Sequence, residues 1–339
     1  MTTPGRHRIA MAIGLVLLAP TVGEFLLGNI PISQYASVLV LAPLYGGGAL
    51  LVRETARRLG RGWPTIVLFA AAYALIEEGP VDQMVFNPGY LGLDSFAGYA
   101  EIPGLGISGT LVLWSLALHT VWSICVPIAL VEAFDPMPTE PWLRRFGYVA
   151  TVVVFALGCV LLGWAQADEL RFMGSSAQFL VSAAAIAALV LAGLFVRQPL
   201  VSPVEGDPPS PILVALTAFA VTSGYWLSTD LPLDGAAAVG AQVIAFLLAG
   251  GVSVALLLHW SRRHGWNGRH RVALAAGAAA THALWFGPSQ AAEAGTGGQE
   301  TLIGAVVFGI GAFVLVVVAW TRQRRLHDQA PLRPTNPVS

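Results

Sequence analysis

Lysine is absent from this chain of 339 residues, so all 18 of its basic residues are arginine. Charged residues of both signs make up only 11% of the chain, against about 25% in an ordinary soluble domain. The formal net charge is −1, and no basic tract has aromatic residues interleaved, which argues against nucleic acid as a partner. The only two cysteines, Cys125 and Cys159, stand in apolar runs. We therefore expect packing residues, with no disulfide framework and no cysteine-ligated metal.

Apolar residues dominate the chain, with 55% hydrophobic residues and a mean hydropathy of +0.69. A soluble protein of this size cannot bury so much apolar surface, so the lipid bilayer is the expected solvent and partner. The sequence predicts an all-α, polytopic transmembrane helix bundle, placed in the cell membrane and most simply the plasma membrane of a bacterium. Its ten candidate spans approach the roughly 20 residues that cross the hydrocarbon. They are residues 9–28, 35–52, 64–80, 107–131, 147–165, 177–196, 211–228, 236–259, 272–288 and 302–320.

The arginines test this count of spans. If the N-terminus is cytoplasmic and the ten spans alternate, the outer loops contain only Arg171, and every other arginine lies on the inner side. This asymmetry is a strong positive-inside bias, and a missed span in the middle of the chain would destroy it. The sequence therefore predicts that the N-terminus and the C-terminus are both cytoplasmic.

The connections between spans predict the domain organisation. Residues 197–210 form a Pro-rich cytoplasmic linker, which we expect to divide a first set of five transmembrane helices, in 1–196, from a second set of five, in 211–325. The outer loop 80–106 is rich in glycine, proline and aromatic residues, which is typical of a compact loop packed on the bundle. The polar tail 326–339 is expected to be disordered.

Few ionisable residues stand inside the predicted spans, and they are Glu24, Glu77, Glu78, His119 and His282. Burial of such a group in a membrane costs at least about 2.5 kcal/mol, so each is a candidate functional residue. At about 1.5 Å per residue along a helix, the depths of all five are compatible with one layer between the midplane and the outer leaflet. The depths permit these side chains to converge on a single site.

The segment around the glutamate pair carries a proline, Pro80, which lacks an N–H and clashes with the carbonyl of Ile76. This predicts a kink or an end of the third span beside the glutamates. Adjacent residues on a helix point about 100° apart. We therefore expect Glu77 and Glu78 not to face one small site together.

The order of these residues resembles that of the CAAX prenyl proteases and the related bacteriocin-processing proteins, whose pattern is EExxxR, FxxxH and HxxxN. Glu77 and Glu78 match the glutamate pair, and His119 and His282 match the two histidines. The resemblance implies an intramembrane peptidase or other hydrolase, in which a glutamate and a histidine activate water and the other polar residues form the oxyanion site.

The match to that pattern is incomplete at three positions. Asp82 replaces the arginine, Ser115 replaces the phenylalanine and Phe286 replaces the asparagine. The chain is also similar to uncharacterised prokaryotic polytopic membrane proteins that share an EEG…FNP…H…PI.LVE run, and this similarity implies no mechanism.

Several alternatives stay open. No cofactor is required, although two histidines and a carboxylate suffice to bind a divalent metal such as zinc. A proton-coupled transporter built from two five-helix halves would place His119 and His282 on corresponding spans and would take a small solute in place of a membrane-embedded peptide. A non-catalytic membrane protein is a third hypothesis. The GxSG run at Gly106–Gly109 resembles the nucleophile motif of rhomboid proteases.

Overall fold

The computed structural model describes residues 4–196, 204–228, 235–293 and 298–328, and these are almost entirely helical. The α-helices are α1 (Pro4–Pro20), α2 (Val38–Leu41), α3 (Tyr45–Arg58), α4 (Trp63–Ile76), α5 (Gly109–Leu118), α6 (Val126–Glu132), α7 (Arg145–Leu170), α8 (Ser176–Phe195), α9 (Pro211–Leu227), α10 (Gly235–Trp260), α11 (Gly268–Thr281), α12 (Gly287–Glu293) and α13 (Gly298–Asp328). The two-residue strands β1 (Glu101–Ile102) and β2 (Ile107–Ser108) pair antiparallel in the outer loop. The prediction of an all-α helix bundle is confirmed.

Seven helical stretches among the described residues are long and apolar enough to cross a membrane, and a bent pair, Ile32–Leu41 with Tyr45–Arg58, makes an eighth. The other two predicted spans are helical as well. One is α9, which has only 17 residues, and the other is formed by α11 and α12 with a π-helical turn between them. Helices α7, α8, α10 and α13 have exposed apolar side chains along much of their length, which suits contact with lipid. The protein is a multi-pass membrane protein.

Contacts between loops support the predicted alternation of the spans. In the described part of the chain, the contacts at one end of the bundle join segments that ten spans place on the inner side, namely Arg8 with Glu140, Arg58 with Leu143, Arg61 with Val196, Arg263 with Asp207, and Gln323 with Ala133. The described contacts at the other end join outer segments, namely Ser33 with Glu300, Gln83 with Gly174, and Gln178 with Leu105 and Gly106. The arginine-rich end is the cytoplasmic one by the positive-inside rule.

The division of the chain at the Pro-rich linker differs from the expected one. Helix α8 is the sixth span-like segment, and it ends immediately before residues 197–203, which lie outside the described residues. The helices therefore divide six and four at this linker, and the expected five-and-five division does not match their order. At the other end of the chain, α13 continues through Asp328, and the rest of the predicted disordered tail lies outside the described residues.

The cytoplasmic end of the bundle is closed by a buried network of charged residues. Arg53, which is fully buried, donates to the carboxylates of Glu54 and Glu132, and its guanidinium carbon lies 3.4 Å from the ring centroid of Trp142. Arg57 makes two further hydrogen bonds to Glu132. Because each buried charge has a partner of opposite sign, the network is stable in a place where a single charge would not be.

A close approach between α1 and α3 sets the position of Tyr45. A Cβ atom on the next residue, Gly46, would lie 2.2 Å from the carbonyl oxygen of Val16, so only glycine fits at this contact. The backbones of the two helices consequently touch at this level. This contact brings the Tyr45 hydroxyl within reach of Glu24, which follows α1.

Candidate functional site

Four π-helical turns occur among the described residues, and each contains a buried ionisable side chain. They are Thr21–Phe25 with Glu24, Glu77–Val81 with Glu77 and Glu78, His119–Cys125 with His119, and His282–Phe286 with His282. A proline stands within or close to each turn, at positions 20, 80, 127 and 288. Because proline lacks a backbone N–H and its ring clashes with the preceding turn, it disturbs the regular α-helix there. Single π-helical turns inside helices are frequent at functional sites.

His119 lies between the two adjacent glutamates. Its Nε2 atom is 2.8 Å from Oε2 of Glu77 and 2.8 Å from Oε1 of Glu78, and all three side chains are buried. The Oγ atom of Ser123 lies 3.0 Å from Nδ1 of the same ring and holds its orientation. We call Glu77, Glu78 and His119 the Glu–His centre.

The expectation that Glu77 and Glu78 would not face one site is wrong. Both glutamates begin the π-helical turn Glu77–Val81. This turn is wider than an α-helical turn, so successive side chains diverge by less than the α-helical angle. Their long side chains then reach the same nitrogen of His119 from two sides.

Three further residues, Glu24, Tyr45 and Asn29, extend the Glu–His centre towards the outer face. The Tyr45 hydroxyl oxygen lies 2.6 Å from Oε1 of Glu77 and 2.5 Å from Oε1 of Glu24. The exposed Asn29 donates a hydrogen bond of 2.8 Å to Oε2 of Glu24. Glu24 was a candidate from the sequence, whereas Tyr45 was missed. Its one signal is the adjoining run Gly46–Gly48, which marks a close helix contact beside a polar side chain.

Carboxyl groups outnumber basic groups around this site. Glu24, Glu77 and Glu78 are buried together, and in the described part of the chain only His119 forms an ion-pair contact with any of them. A fourth carboxyl, that of Asp82, follows the third span and accepts a hydrogen bond of 2.8 Å from Tyr90. Burial, followed by the nearby charges of Glu78 and Glu77, raises the pKa of Asp82 well above its ordinary value.

One carboxylate oxygen of the Glu–His centre remains free to accept a hydrogen bond. Within the described ranges, Oε2 of Glu78 is buried and has no hydrogen-bond partner. Of the two oxygens of Glu77, Oε1 accepts a hydrogen bond from Tyr45, whereas Oε2 makes no hydrogen bond among the described residues but lies in ion-pair contact with His119, 2.8 Å from its Nε2 atom. An unpaired buried carboxylate oxygen is costly, so a bound water is the simplest partner for Glu78.

The Glu–His centre has the composition of a small metal site. Glu77, Glu78 and His119 each offer one ligand atom, and these atoms lie within 4.8 Å of one another. Zinc bonds of about 2.0–2.1 Å in a tetrahedral site would place the ligand atoms roughly 3.3 Å apart. The observed separations of 2.8 Å between nitrogen and oxygen are hydrogen-bond distances. In this arrangement a proton can be shared between Nε2 of His119 and the two carboxylates. To bind a zinc ion, both carboxylates would have to move away from the histidine ring.

His282 does not join this group, contrary to the expectation from the sequence pattern. Its ring is stacked on the indole of Trp122, and neither of its nitrogens has a hydrogen-bond partner among the described residues. Ser108 of the GxSG run begins α5 as its N-cap, because its Oγ accepts a hydrogen bond from the backbone of Leu111 and donates one to that of Tyr99. This hydroxyl is engaged in local structure.

A model of an uncharacterized membrane protein family matches residues 14–204, and the chain belongs to this family. The matched region contains Glu24, Tyr45 and the whole Glu–His centre, whereas His282 lies beyond it. No curated protein and no solved structure matches the chain.

Proposed function

We propose that this member of the uncharacterized membrane protein family is an intramembrane hydrolase whose Glu–His centre activates a water molecule. The observation that carries the proposal is the position of His119, with Nε2 at 2.8 Å from a carboxylate oxygen of each glutamate. A carboxylate and an imidazole held together away from bulk water can be tuned to act as base and acid near neutral pH.

Glu78 is the residue that touches the water. Its Oε2 atom, free of other described partners, accepts a proton from the water as the water oxygen bonds to the carbonyl carbon of the substrate. The carbonyl π bond breaks to give an oxyanion. When the carbonyl re-forms, the bond to the leaving amine breaks, and the amine receives the proton through Glu78 and His119. His119, fixed by Ser123, stabilises the negative charge of the base. Proton transfer by a positioned side chain contributes typically about 10²–10⁴-fold to a rate.

Because the centre stands on helices long and apolar enough to cross a membrane, the substrate class that we propose is a peptide segment within the membrane. The resemblance to CAAX-type proteases, carried by Glu77, Glu78 and His119, supports the same class. Asp82 stands where that pattern has an arginine. We therefore carry over from the resemblance the activation of water, and not the way in which those proteases recognise their substrates. Arginine is concentrated at one end of the bundle, as it is on the cytoplasmic side of proteins of the cell membrane. We therefore place the protein in a cell membrane.

A proton-coupled carrier is the second candidate, and the buried contacts from Glu24 through Tyr45 to Glu77 favour it. A carrier of the inverted-repeat type needs two similar halves. In two five-helix halves, α4 and α5 would correspond to α10 and α11. However, α4 packs firmly on α5 and on the turn that begins at His119, whereas α10 makes at most marginal contact with α11. This difference between the two parts of the chain favours the hydrolase.

The test is peptide cleavage by the purified protein in liposomes. The probes are a library of apolar, membrane-inserting peptides with a fluorophore at one end and a quencher at the other. We expect the wild-type protein and Glu169→Gln, which changes an exposed glutamate on α7, to cleave the same peptides. Glu78→Gln is isosteric and lacks the base, so cleavage should fall at least about 100-fold. Undiminished cleavage by folded Glu78→Gln would refute the role of Glu78. Gradient-driven uptake of solute without any cleavage would establish the carrier instead.

A further inference from the structure

The contacts of Tyr45 require more hydrogens than the tyrosine itself supplies. Its hydroxyl oxygen lies 2.5 Å from Oε1 of Glu24 and 2.6 Å from Oε1 of Glu77, and both distances are short hydrogen bonds. A phenol has one hydrogen and donates it to one acceptor. The second contact therefore needs a hydrogen on one of the two carboxyl groups, which donates it to the tyrosine oxygen. One of the two glutamates is thus a carboxylic acid.

These contacts form a path along which a proton can move without displacement of any heavy atom. When the acid hydrogen is on Glu24, it passes to the Tyr45 oxygen while the Tyr45 hydrogen passes to Glu77. Two O–H bonds break and two form, and the negative charge moves from Glu77 to Glu24. Once neutral, Glu77 attracts the Nε2 hydrogen of His119 less strongly, so that hydrogen shifts towards Glu78, whose Oε1 atom lies 2.8 Å from the same nitrogen.

The Glu24 end of the path lies next to an exposed side chain of the outer side. Glu24 is itself buried, as are Glu77 and Glu78, and its Oε2 atom accepts a hydrogen bond from the exposed amide of Asn29. Towards the cytoplasm, the bundle is closed by the buried network of Arg53, Glu54 and Glu132. A proton that reaches the Glu–His centre through Glu24 therefore comes from the outer aqueous phase.

We infer that Glu24 is a proton-binding site served from the outer side of the membrane, and that Tyr45 passes its proton to Glu77 and thereby to the Glu–His centre. The titratable groups that face Glu24 and Tyr45 are Glu77, His119 and Tyr73, whose ring lies 6.2 Å from that of Tyr45. Glu24 and Tyr45 are positioning residues, since they act through Glu77. The proton path itself follows from the contacts of Tyr45. Only the use of its proton in hydrolysis at the Glu–His centre rests on the proposed function.

The path can be tested without any substrate, by infrared spectroscopy of the protein in sealed liposomes of known orientation. A protonated carboxyl and a carboxylate have separate carbonyl bands. We expect a band of a buried protonated carboxyl that responds to a pH step on the outer side and not to the same step on the inner side. Because the buried carboxyl of Asp82 at the outer end would give a band of its own, the measurement is made in an Asp82→Asn background, where Glu24→Gln should remove this response. The control Glu101→Gln changes an exposed glutamate of the outer loop and should keep it.

Tyr45→Phe separates a proton path from a merely structural contact, because it keeps the ring and removes the hydroxyl. We expect Glu24 to respond to the outer pH step in this variant, while the response of Glu77, identified as the band lost in Glu77→Gln, disappears. An unchanged response in Glu24→Gln, or a response of Glu77 that persists in Tyr45→Phe, would overturn the inference. If the infrared result holds and the wild-type protein cleaves no peptide, the proton path stands and the hydrolase proposal falls. Cleavage without the infrared response would mean that the hydrolase proposal stands and the proton path falls.

Discussion

The imidazole of His282 lies flat against the indole of Trp122, with ring centroids 4.2 Å apart and planes inclined by 8°. Trp122 also donates a hydrogen bond of 2.8 Å from its indole N–H to the carbonyl of Ala278, about one turn before His282. Trp122 follows His119 by three residues, so the two contacts fix the helix that carries His119 against α11. In this arrangement His282 supports the site through packing.

The histidine at position 282 should therefore be replaceable by another flat ring. His282→Phe retains a stacking partner and removes two buried nitrogens that have no described hydrogen-bond partner, so the unfolding temperature should stay equal or rise. His282→Ala loses the stacked pair and leaves a cavity, with a cost of roughly 1–3 kcal/mol. Thermal unfolding in detergent, together with peptide cleavage, measures both. A well-folded His282→Phe without cleavage would show that the imidazole itself takes part in the reaction.

The contact of α3 with α1 should be intolerant of a single added methyl group. In Gly46→Ala, the new Cβ would meet the carbonyl of Val16, so the helices must separate and Tyr45 must move away from Glu24. We expect a loss of roughly 1–3 kcal/mol of stability and loss of the infrared response to outer pH. The matched control is Gly14→Ala on α1, where a Cβ has open space. Equal behaviour of the two variants would contradict the close approach.

Removal of Arg53 should be among the most destabilising single changes at the cytoplasmic end. Arg53→Met fills a similar volume but leaves the carboxylates of Glu54 and Glu132 with one partner fewer in a buried place. Loss of one member of a buried ion pair typically costs about 3–5 kcal/mol. Urea or thermal unfolding checks this value against Arg325→Met, which changes an exposed arginine of α13. A loss below about 1 kcal/mol would mean that the network is solvated.

Asp82 should make stability depend on pH in a predictable direction. Because its pKa is raised in the folded protein, the folded state binds more protons than the unfolded state between the ordinary pKa of about 3.9 and the raised pKa. Stability is therefore lost as pH rises through that window. The Asp82→Asn variant lacks this loss of stability, so it should be more stable than the wild type at neutral pH. Below about pH 3.9 it should have no such advantage. Unfolding temperature measured against pH, with exposed Asp94→Asn of the same loop as control, tests this. A variant that is less stable at neutral pH would contradict it.

The bundle and the alternation of its spans could be predicted because hydropathy and arginine placement are signals along the chain itself. The common depth of Glu77, Glu78 and His119 could be predicted for the same reason. Depth does not give the rotation of a side chain about its helix axis, so the sequence permits His282 to join His119, whereas its ring lies against Trp122.

Two features of the site depend on contacts that the sequence does not display. Glu77 and Glu78 share His119 because the helix widens into a π-helical turn, whereas α-helical spacing would separate them. Tyr45 reaches Glu24 because Gly46 lets two backbones touch, and a glycine run does not name its partner helix.

The most direct test of the account is the distance from His119 to the two glutamates in a lipid bilayer. Solid-state NMR on protein labelled with ¹⁵N-histidine and ¹³C-glutamate measures it, with His119→Gln to assign the signal and Glu77→Gln and Glu78→Gln to assign the carboxyl carbons. Because Nε2 lies 2.8 Å from an oxygen of each carboxylate, we predict that both carboxyl carbons lie within roughly 4 Å of Nε2. If neither carboxyl carbon shows a coupling of that strength, the Glu–His centre does not exist as a unit, and the hydrolase and the proton path fail together.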